Sequence, residues 1–139
     1  MGGLIYLLDT NSISEPIKEI PNENVVEKVY SFSEQIAISS LTVYEMMRGV
    51  YLLPESKRRI KFLEYNQSVL AKFSILSYTK EAADWHSYES ARLQGIGKIA
   101  PFIDGQIAAV AKVNDLILVT RNTDDFKYFD DLKLENWFL

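Results

Sequence analysis

Residues 4–12 read LIYLLDTNS, and this stretch decides the fold class of the chain. Its first five residues form an unbroken apolar run, which is typical of a strand buried on both faces of a parallel sheet. Asp9 ends the run, and the polar residues after it are typical of the start of a helix. Further apolar runs occur at residues 36–39, 73–78 and 116–120, with helical patterns between them. The alternation predicts a three-layer α/β/α fold, in which helices cover both faces of a mainly parallel sheet.

Apolar residues at helical spacing predict helices over residues 42–53, 56–70, 80–93 and 101–114, and a short edge strand is expected within 132–138. Ser12 with Glu15, and Thr42 with Glu45, have the spacing of a capping box at a helix N-terminus. Asn114 is a candidate for a left-handed helix C-cap. No repeat or linker interrupts the pattern, so residues 1–139 are expected to form a single domain.

The composition is that of an ordinary globular protein, with 47% hydrophobic and 24% charged residues. Cysteine is absent, which excludes a disulfide framework and a thiolate nucleophile. No apolar run approaches the roughly 20 residues that span a bilayer, so we expect a cytoplasmic protein. The net charge of -4 argues against generic binding to nucleic acid. Basic residues cluster at 57–61, although a solvated helix face also explains such a cluster.

Acidic side chains follow the apolar runs. Asp9 follows the first run, Glu45 lies beyond the second, and Asp124 and Asp125 lie beyond the last. Asp104 shares a helical stripe with small apolar residues. Because ligands of open parallel sheets bind beyond the carboxyl ends of the strands, these acids are expected to converge there. Two carboxylates about 4 Å apart repel by roughly 4 kcal/mol at an effective dielectric near 20, so such a cluster needs cations or shared protons.

Each of these residues could also have a purely structural role. Asp9 could cap a helix, and Glu45 could serve only in its capping box. Either Asp124 or Asp125 could belong to a polar turn. Gly105 lowers helix propensity by roughly 1 kcal/mol relative to Ala, which suggests close approach by backbone or substrate. The single histidine, at position 86, is expected to be a surface or packing residue.

Four segments carry a resemblance to a known family, in the order in which that family has them: 5–16 (IYLLDTNSISEP), 38–45 (ISSLTVYE), 104–109 (DGQIAA) and 118–123 (LVTRNT). With them the chain resembles PIN-domain ribonucleases of the VapC type, the toxins of bacterial toxin–antitoxin modules. The resemblance implies a PIN-like three-layer fold and metal-dependent hydrolysis of phosphodiester bonds in RNA, transfer or ribosomal RNA being the expected substrate. It also implies Mg2+ or Mn2+ as cofactor, ions that oxygen ligands favour.

The resemblance further implies roles for particular residues. The expected metal ligands and catalytic acids are Asp9, Glu45 and Asp104, with a fourth position taken by Asn122, Asp124 or Asp125, of which Asp125 is favoured. Supporting hydroxyls are expected at Thr120 and Ser40. Weaker candidates for contact with the RNA backbone are Arg48, Arg121, Lys57, Arg58 and Arg59.

Partners are implied as well. The expected assembly is a homodimer that binds a cognate VapB-type antitoxin, within a toxin–antitoxin hetero-oligomer and without a membrane. The antitoxin surface would include Tyr44, Met46, Met47, Tyr51 and Leu52, although ordinary packing also explains these residues.

Two other functions remain open at this stage. A phosphatase could use Asp9 as a covalent nucleophile, but such sites usually carry a second Asp two residues later, where this chain has Asn11. A non-catalytic module could use the same fold to bind RNA or an antitoxin, and the uncertain fourth ligand leaves room for this alternative.

Overall fold

A computed structural model describes residues 3–139, so residues 1 and 2 of the predicted domain lie outside the described part. Within it, the strands are β1 Tyr6–Leu8, β2 Ile36–Ser39, β3 Ser74–Leu76, β4 Ile117–Val119 and β5 Leu134–Glu135. The helices are α1 Thr10–Ser14, α2 Glu23–Ser31, α3 Ser40–Leu52, α4 Lys57–Lys72, α5 Lys80–Gly95 and α6 Phe102–Val113. Short 3-10 turns occupy Glu15–Ile17, Ser33–Gln35 and Thr123–Asp125.

The five strands form one parallel sheet in the order β3-β2-β1-β4-β5. β1 is central: Tyr6 pairs with Ile36 on one side and with Ile117 on the other. Leu7 and Leu8 are fully buried. Because successive side chains of a strand point to opposite faces, these two leucines enter two different cores. The predicted buried central strand is therefore confirmed.

The two cores lie on the two faces of the sheet. On one face Leu7 packs with residues of α5 and α6, and half of the residues of α6 are buried. On the other face Leu8 packs with Ile13 of α1, Val25 of α2, Met46 of α3 and other residues. The predicted three-layer α/β/α architecture is confirmed. None of the helices within residues 3–139 combines the length and the apolar character needed to cross a membrane.

The observed N-termini of α1 and α3 contradict the two predicted capping boxes. Ser12 lies inside α1, whose cap is Asp9, and the carboxylate of Glu15 accepts a hydrogen bond from the backbone N–H of Asn22 at 2.7 Å. α3 begins at residue 40 rather than 42, and its cap is Ser39, whose hydroxyl accepts from the backbone N–H of residue 42 at 3.2 Å. Both predicted capping boxes are therefore wrong. In each case a side chain three residues earlier than expected takes the cap position.

Other boundaries differ by a few residues. α5 ends at Gly95, two residues beyond the predicted end, and Gly97 follows with a φ of 76°. Asn114 has a φ of −99°, so the predicted left-handed C-cap is wrong, and the positive φ of 53° belongs to Asp115. The amide of Asn114 instead donates to the carbonyl of Val110 at 2.8 Å, which satisfies one of the last carbonyls of α6.

Candidate active site

Asp9 lies directly beyond β1 and is 7% exposed. Its backbone N–H donates to the carbonyl of Val119 at 3.1 Å, which holds it beside the end of β4. Its Oδ1 accepts from the backbone N–H of Ser12 at 2.9 Å and so caps α1. Burial raises the pKa of the Asp9 carboxyl, and hydrogen bonds from Thr120 and Ser12 oppose that rise. The helix-cap interpretation is thus correct for one oxygen and does not account for burying the carboxylate at this sheet edge.

Glu45 is held at the same edge by α3. Its Oε1 accepts a hydrogen bond from the hydroxyl of Thr10 at 2.6 Å, which joins α1 to α3 beside Asp9. Since Glu45 takes no part in capping α3, the capping-box interpretation of this residue fails. The sequence patterns did not identify Thr10 as a residue of the site, although its position directly after Asp9 could have suggested it.

Asp104 brings the acids into one electrostatic environment. It lies in the first turn of α6 and is half-buried. Burial raises the pKa of the Asp104 carboxyl, and the negative charges of Glu45, Asp125 and Asp9 raise it further. Like charges within a few ångströms disfavour ionisation of a carboxyl group. Acids from four separate segments therefore contribute to one electrostatic environment around Asp104.

Gly105, the neighbour of Asp104, faces the imidazole of His86. A Cβ atom built on Gly105 would lie 2.3 Å from His86 Nε2, so nothing larger than glycine fits without a shift. The hydroxyl of Tyr78 holds His86 Nδ1 at 2.9 Å, and the ring packs 5.4 Å from that of Phe102. The close approach expected at Gly105 exists, but the group that approaches is an imidazole rather than backbone or substrate. His86 is a packing residue that positions the start of α6.

The segment after β4 distinguishes the candidates for a fourth acid. Asp125 acts on the pKa of Asp104, whereas Asp124 turns to Lys127 at 3.4 Å and its side chain is 89% exposed. Asn122 is exposed, and its backbone N–H donates to the hydroxyl of Thr120 at 3.1 Å. Of these three candidates, only Asp125 is among the charges that raise the pKa of Asp104, and its side chain is exposed.

The two hydroxyls predicted to support the ligands differ in position. Thr120 is fully buried beyond β4 and hydrogen-bonds the Asp9 carboxylate. Ser40 is the first residue of α3, and among the described residues its hydroxyl makes no side-chain hydrogen bond. The structure therefore brings only Thr120 into contact with an acid of the site.

The four acids (Asp9, Glu45, Asp104 and Asp125) offer a hard donor set made of oxygen atoms alone, which suits a divalent cation such as Mg2+. As the side chains stand, no three His, Cys, Asp or Glu residues within 3–139 lie close enough together to hold a metal ion. The residues fit a cation in the type of their donor atoms. Carboxylates about 4 Å apart repel by roughly 4 kcal/mol at an effective dielectric near 20, so a bound cation would stabilise a closer grouping.

The predicted basic residues have different surroundings. Arg121 lies 4.8 Å over the ring of Phe138, and Arg59 lies 5.8 Å over that of Tyr51. Arg48 is exposed on α3. Lys57 and Arg58 instead line a common cleft beside α4.

The residues expected at an antitoxin surface divide into two groups. Tyr44, Tyr51 and Leu52 are exposed by 55%, 62% and 66%, so packing does not explain them. Met46 is buried in the core, and Met47 is half-buried. Packing therefore accounts for the methionines, and the three exposed residues leave an apolar strip on α3.

The parallel sheet, the helices on both of its faces and the acids beyond its strand ends define a PIN-like α/β/α protein. Residues 6–132 match the family model described as PIN domain, and the chain belongs to that family.

Named relatives agree with this assignment. The chain is 36% identical over 137 residues to Toxin FitB of Neisseria gonorrhoeae, which covers 96% of this chain and 99% of FitB. It is 30% identical over 135 residues to the tRNA(fMet)-specific endonuclease VapC of Shigella flexneri, covering 96% and 98% of the two chains. A chain in the structure of FitAB bound to an IR36 DNA fragment superposes with a TM-score of 0.89 at 34% identity, covering 97% of this chain and 96% of that one. The predicted family and fold are confirmed.

Proposed function

We propose that this protein is a VapC-type endoribonuclease, the toxin of a toxin–antitoxin pair, which hydrolyses RNA with the help of Mg2+ or Mn2+. One observation carries the proposal: Asp9 is buried directly beyond the central strand, and the hydroxyl of the next residue, Thr10, donates a hydrogen bond to the carboxylate of Glu45 on α3 at 2.6 Å. The charges of Glu45, Asp125 and Asp9 raise the pKa of Asp104, which associates this acid with the same group. The similarity to proteins named toxin and endonuclease supports the same function. PIN-domain ribonucleases generally depend on divalent metal ions.

The residues of the site have separate tasks. Asp9, Glu45, Asp104 and Asp125 would hold the cation, which when bound activates water and neutralises charge on a phosphate. The hydroxyl of Thr10 holds the Glu45 carboxylate in place, since Oε1 accepts its hydrogen bond. One of the four acids would take the proton of the attacking water as general base.

The named relatives support proposals for the substrate and the partners. A transfer or ribosomal RNA is the proposed substrate, in keeping with the relative named for tRNA(fMet). The proposed partners are a second copy of the chain and a VapB-type antitoxin, in keeping with the similar FitAB complex. The exposed strip of Tyr44, Tyr51 and Leu52 is the proposed part of the antitoxin surface, and the cytoplasm is the proposed site of action.

The test compares Asp9→Asn and Asp104→Asn with the native chain. Each change keeps the shape of the side chain and removes one negative charge, so cleavage of a total transfer-RNA pool with Mg2+ is expected to fall by about 100-fold or more. The matched control is Asp84→Asn, which removes the same charge from an exposed position on α5 and is expected to retain activity.

The outcomes separate the possible functions. Unchanged cleavage by either site variant would exclude the role assigned to that acid. Binding of Mg2+ by the native chain without cleavage of any cellular RNA would favour a non-catalytic module. Capture of a phosphorylated Asp9 would favour a phosphatase.

A further inference from the structure

A second concave surface adjoins the acidic site. It is a cleft of about 540 Å³ between the turn after α1 and the first two turns of α4. Four cationic side chains line it, namely Lys18, Lys57, Arg58 and Lys61, together with Ile17, Phe62 and a single carboxylate, that of Glu19. We call this surface the basic cleft.

The basic cleft is continuous with the acidic site. A second cavity, of about 240 Å³, is lined by Thr10 and Glu45 of the site and also by Ile17, Arg58 and Phe62. These last three residues line the basic cleft as well, so they form the boundary that the two cavities share. A linear polymer that extends from Glu45 along this path therefore reaches the cationic side chains of the basic cleft.

The cations of the basic cleft are placed for a ligand rather than for the stability of the fold. Within residues 3–139, Lys57, Arg58 and Lys61 have no carboxylate at ion-pairing distance, whereas Lys18 contacts Glu15 at 2.8 Å. Lys57 and Arg58 occupy the first turn of α4, which has no acidic residue. Positive charge in a first turn opposes the helix dipole and typically costs about 0.3–1 kcal/mol at low ionic strength.

We propose that the basic cleft binds the sugar–phosphate backbone of a single RNA strand on one side of the scissile bond. This proposal rests on the ribonuclease function proposed above. Proteins that bind single strands combine a cationic groove with aromatic side chains against which bases stack. Phe62 supplies an aromatic ring, and the guanidinium of Arg58 lies 5.4 Å from its centroid. Phosphate contacts position a strand without reading its sequence, so the cleft aligns the substrate and leaves sequence choice to other surfaces.

The test removes two of the exposed cations. The double variant Lys57→Gln, Lys61→Gln is compared with the control double variant Lys72→Gln, Lys80→Gln, which makes the same change in net charge. Lys72 lies fifteen residues further along α4, or about 22 Å, and Lys80 begins α5. Binding of a 12-nucleotide single-stranded RNA of mixed sequence is measured in EDTA, so that no cleavage occurs, from 50 to 300 mM salt.

Each phosphate contact on a single strand contributes about 0.7 to the slope of log affinity against log salt. Loss of two contacts is therefore expected to flatten the slope by about 1.4 and to weaken binding about 25-fold at 0.1 M salt. With Mg2+ and cleavable RNA, KM is expected to rise while kcat stays near its native value, because a uniform binding contribution is lost. The control double variant is expected to keep the native slope and KM.

The possible results distinguish this inference from the proposed function. If the native chain cleaves RNA and the cleft variant keeps the native salt slope and KM, the basic cleft does not bind the substrate and the ribonuclease assignment stands. Loss of antitoxin binding by the cleft variant, with RNA binding intact, would overturn the proposal and assign the cleft to a protein partner. If the native chain cleaves no RNA, the proposed function itself fails.

Discussion

The contact between Gly105 and His86 gives the sharpest test of how the structure positions Asp104. The perturbation is Gly105→Ala, which adds one methyl group 2.3 Å from His86 Nε2 and 3.0 Å from its Cδ2. Neither ring atom moves freely, because the hydroxyl of Tyr78 binds the other nitrogen and the residue is 6% exposed. The side chain or α6 must therefore shift.

Two opposing terms determine the size of the effect. Overpacking a well-packed site typically costs about 1–3 kcal/mol. Within a helix, alanine stabilises the folded state by about 1 kcal/mol relative to glycine. Because an approach of 2.3 Å lies far inside van der Waals contact, the cost of overpacking is expected in the upper part of that range, about 2–3 kcal/mol. Gly105→Ala is therefore expected to lower the free energy of unfolding by about 1–2 kcal/mol. In a His86→Ala background the steric overlap is removed, and the higher helix propensity of alanine remains. Gly105→Ala is then expected to raise the free energy of unfolding by about 0.5–1 kcal/mol.

The assay is urea denaturation of the native chain, both single variants and the double variant, in the absence of metal ions. The expected result is a reversal in the sign of the alanine effect between the two backgrounds. Equal stabilisation by Gly105→Ala in both would refute the inferred contact. A fall in RNA cleavage by Gly105→Ala beyond its loss of folded protein would further show that the contact positions Asp104.

Three further predictions concern the acids. Asp104→Asn is expected to stabilise the metal-free protein increasingly as pH rises above 3.8, because the raised pKa of the native carboxyl makes its ionisation unfavourable in the folded state. Urea denaturation of both proteins at pH 4 and pH 7 measures this difference in stability. A difference that does not depend on pH would contradict the prediction. Thr10→Val, which removes the 2.6 Å hydrogen bond to Glu45, is expected to raise the Mg2+ concentration for half-maximal cleavage about 10–100-fold, while Thr10→Ser retains the native value. Asp125→Asn is expected to reduce cleavage more strongly than Asp124→Asn, because only Asp125 acts on Asp104, and the reverse order of rates would assign the fourth acid to Asp124.

Sequence patterns determined the layers of this protein and the edge at which its acids meet. The apolar run before Asp9 identified the central strand, because a strand covered on both faces must be apolar at every position. The order of strands and helices then placed the acids beyond the strand ends, since parallel strands direct their carboxyl ends to one edge. Both inferences depend on periodic burial, which a linear sequence records directly.

The contacts within the site depended on tertiary structure. The hydroxyl of Thr10 reaches Glu45 across 35 positions of sequence, and the imidazole of His86 reaches Gly105 from another helix. Asp124 and Asp125 are adjacent in sequence, yet only the orientation of the turn sends one to Lys127 and the other toward Asp104. Such encounters follow from strand register, helix packing and side-chain rotamers together. No local pattern records those three quantities, so the sequence predicted which residues would be near the site and the fold determined what each of them contacts.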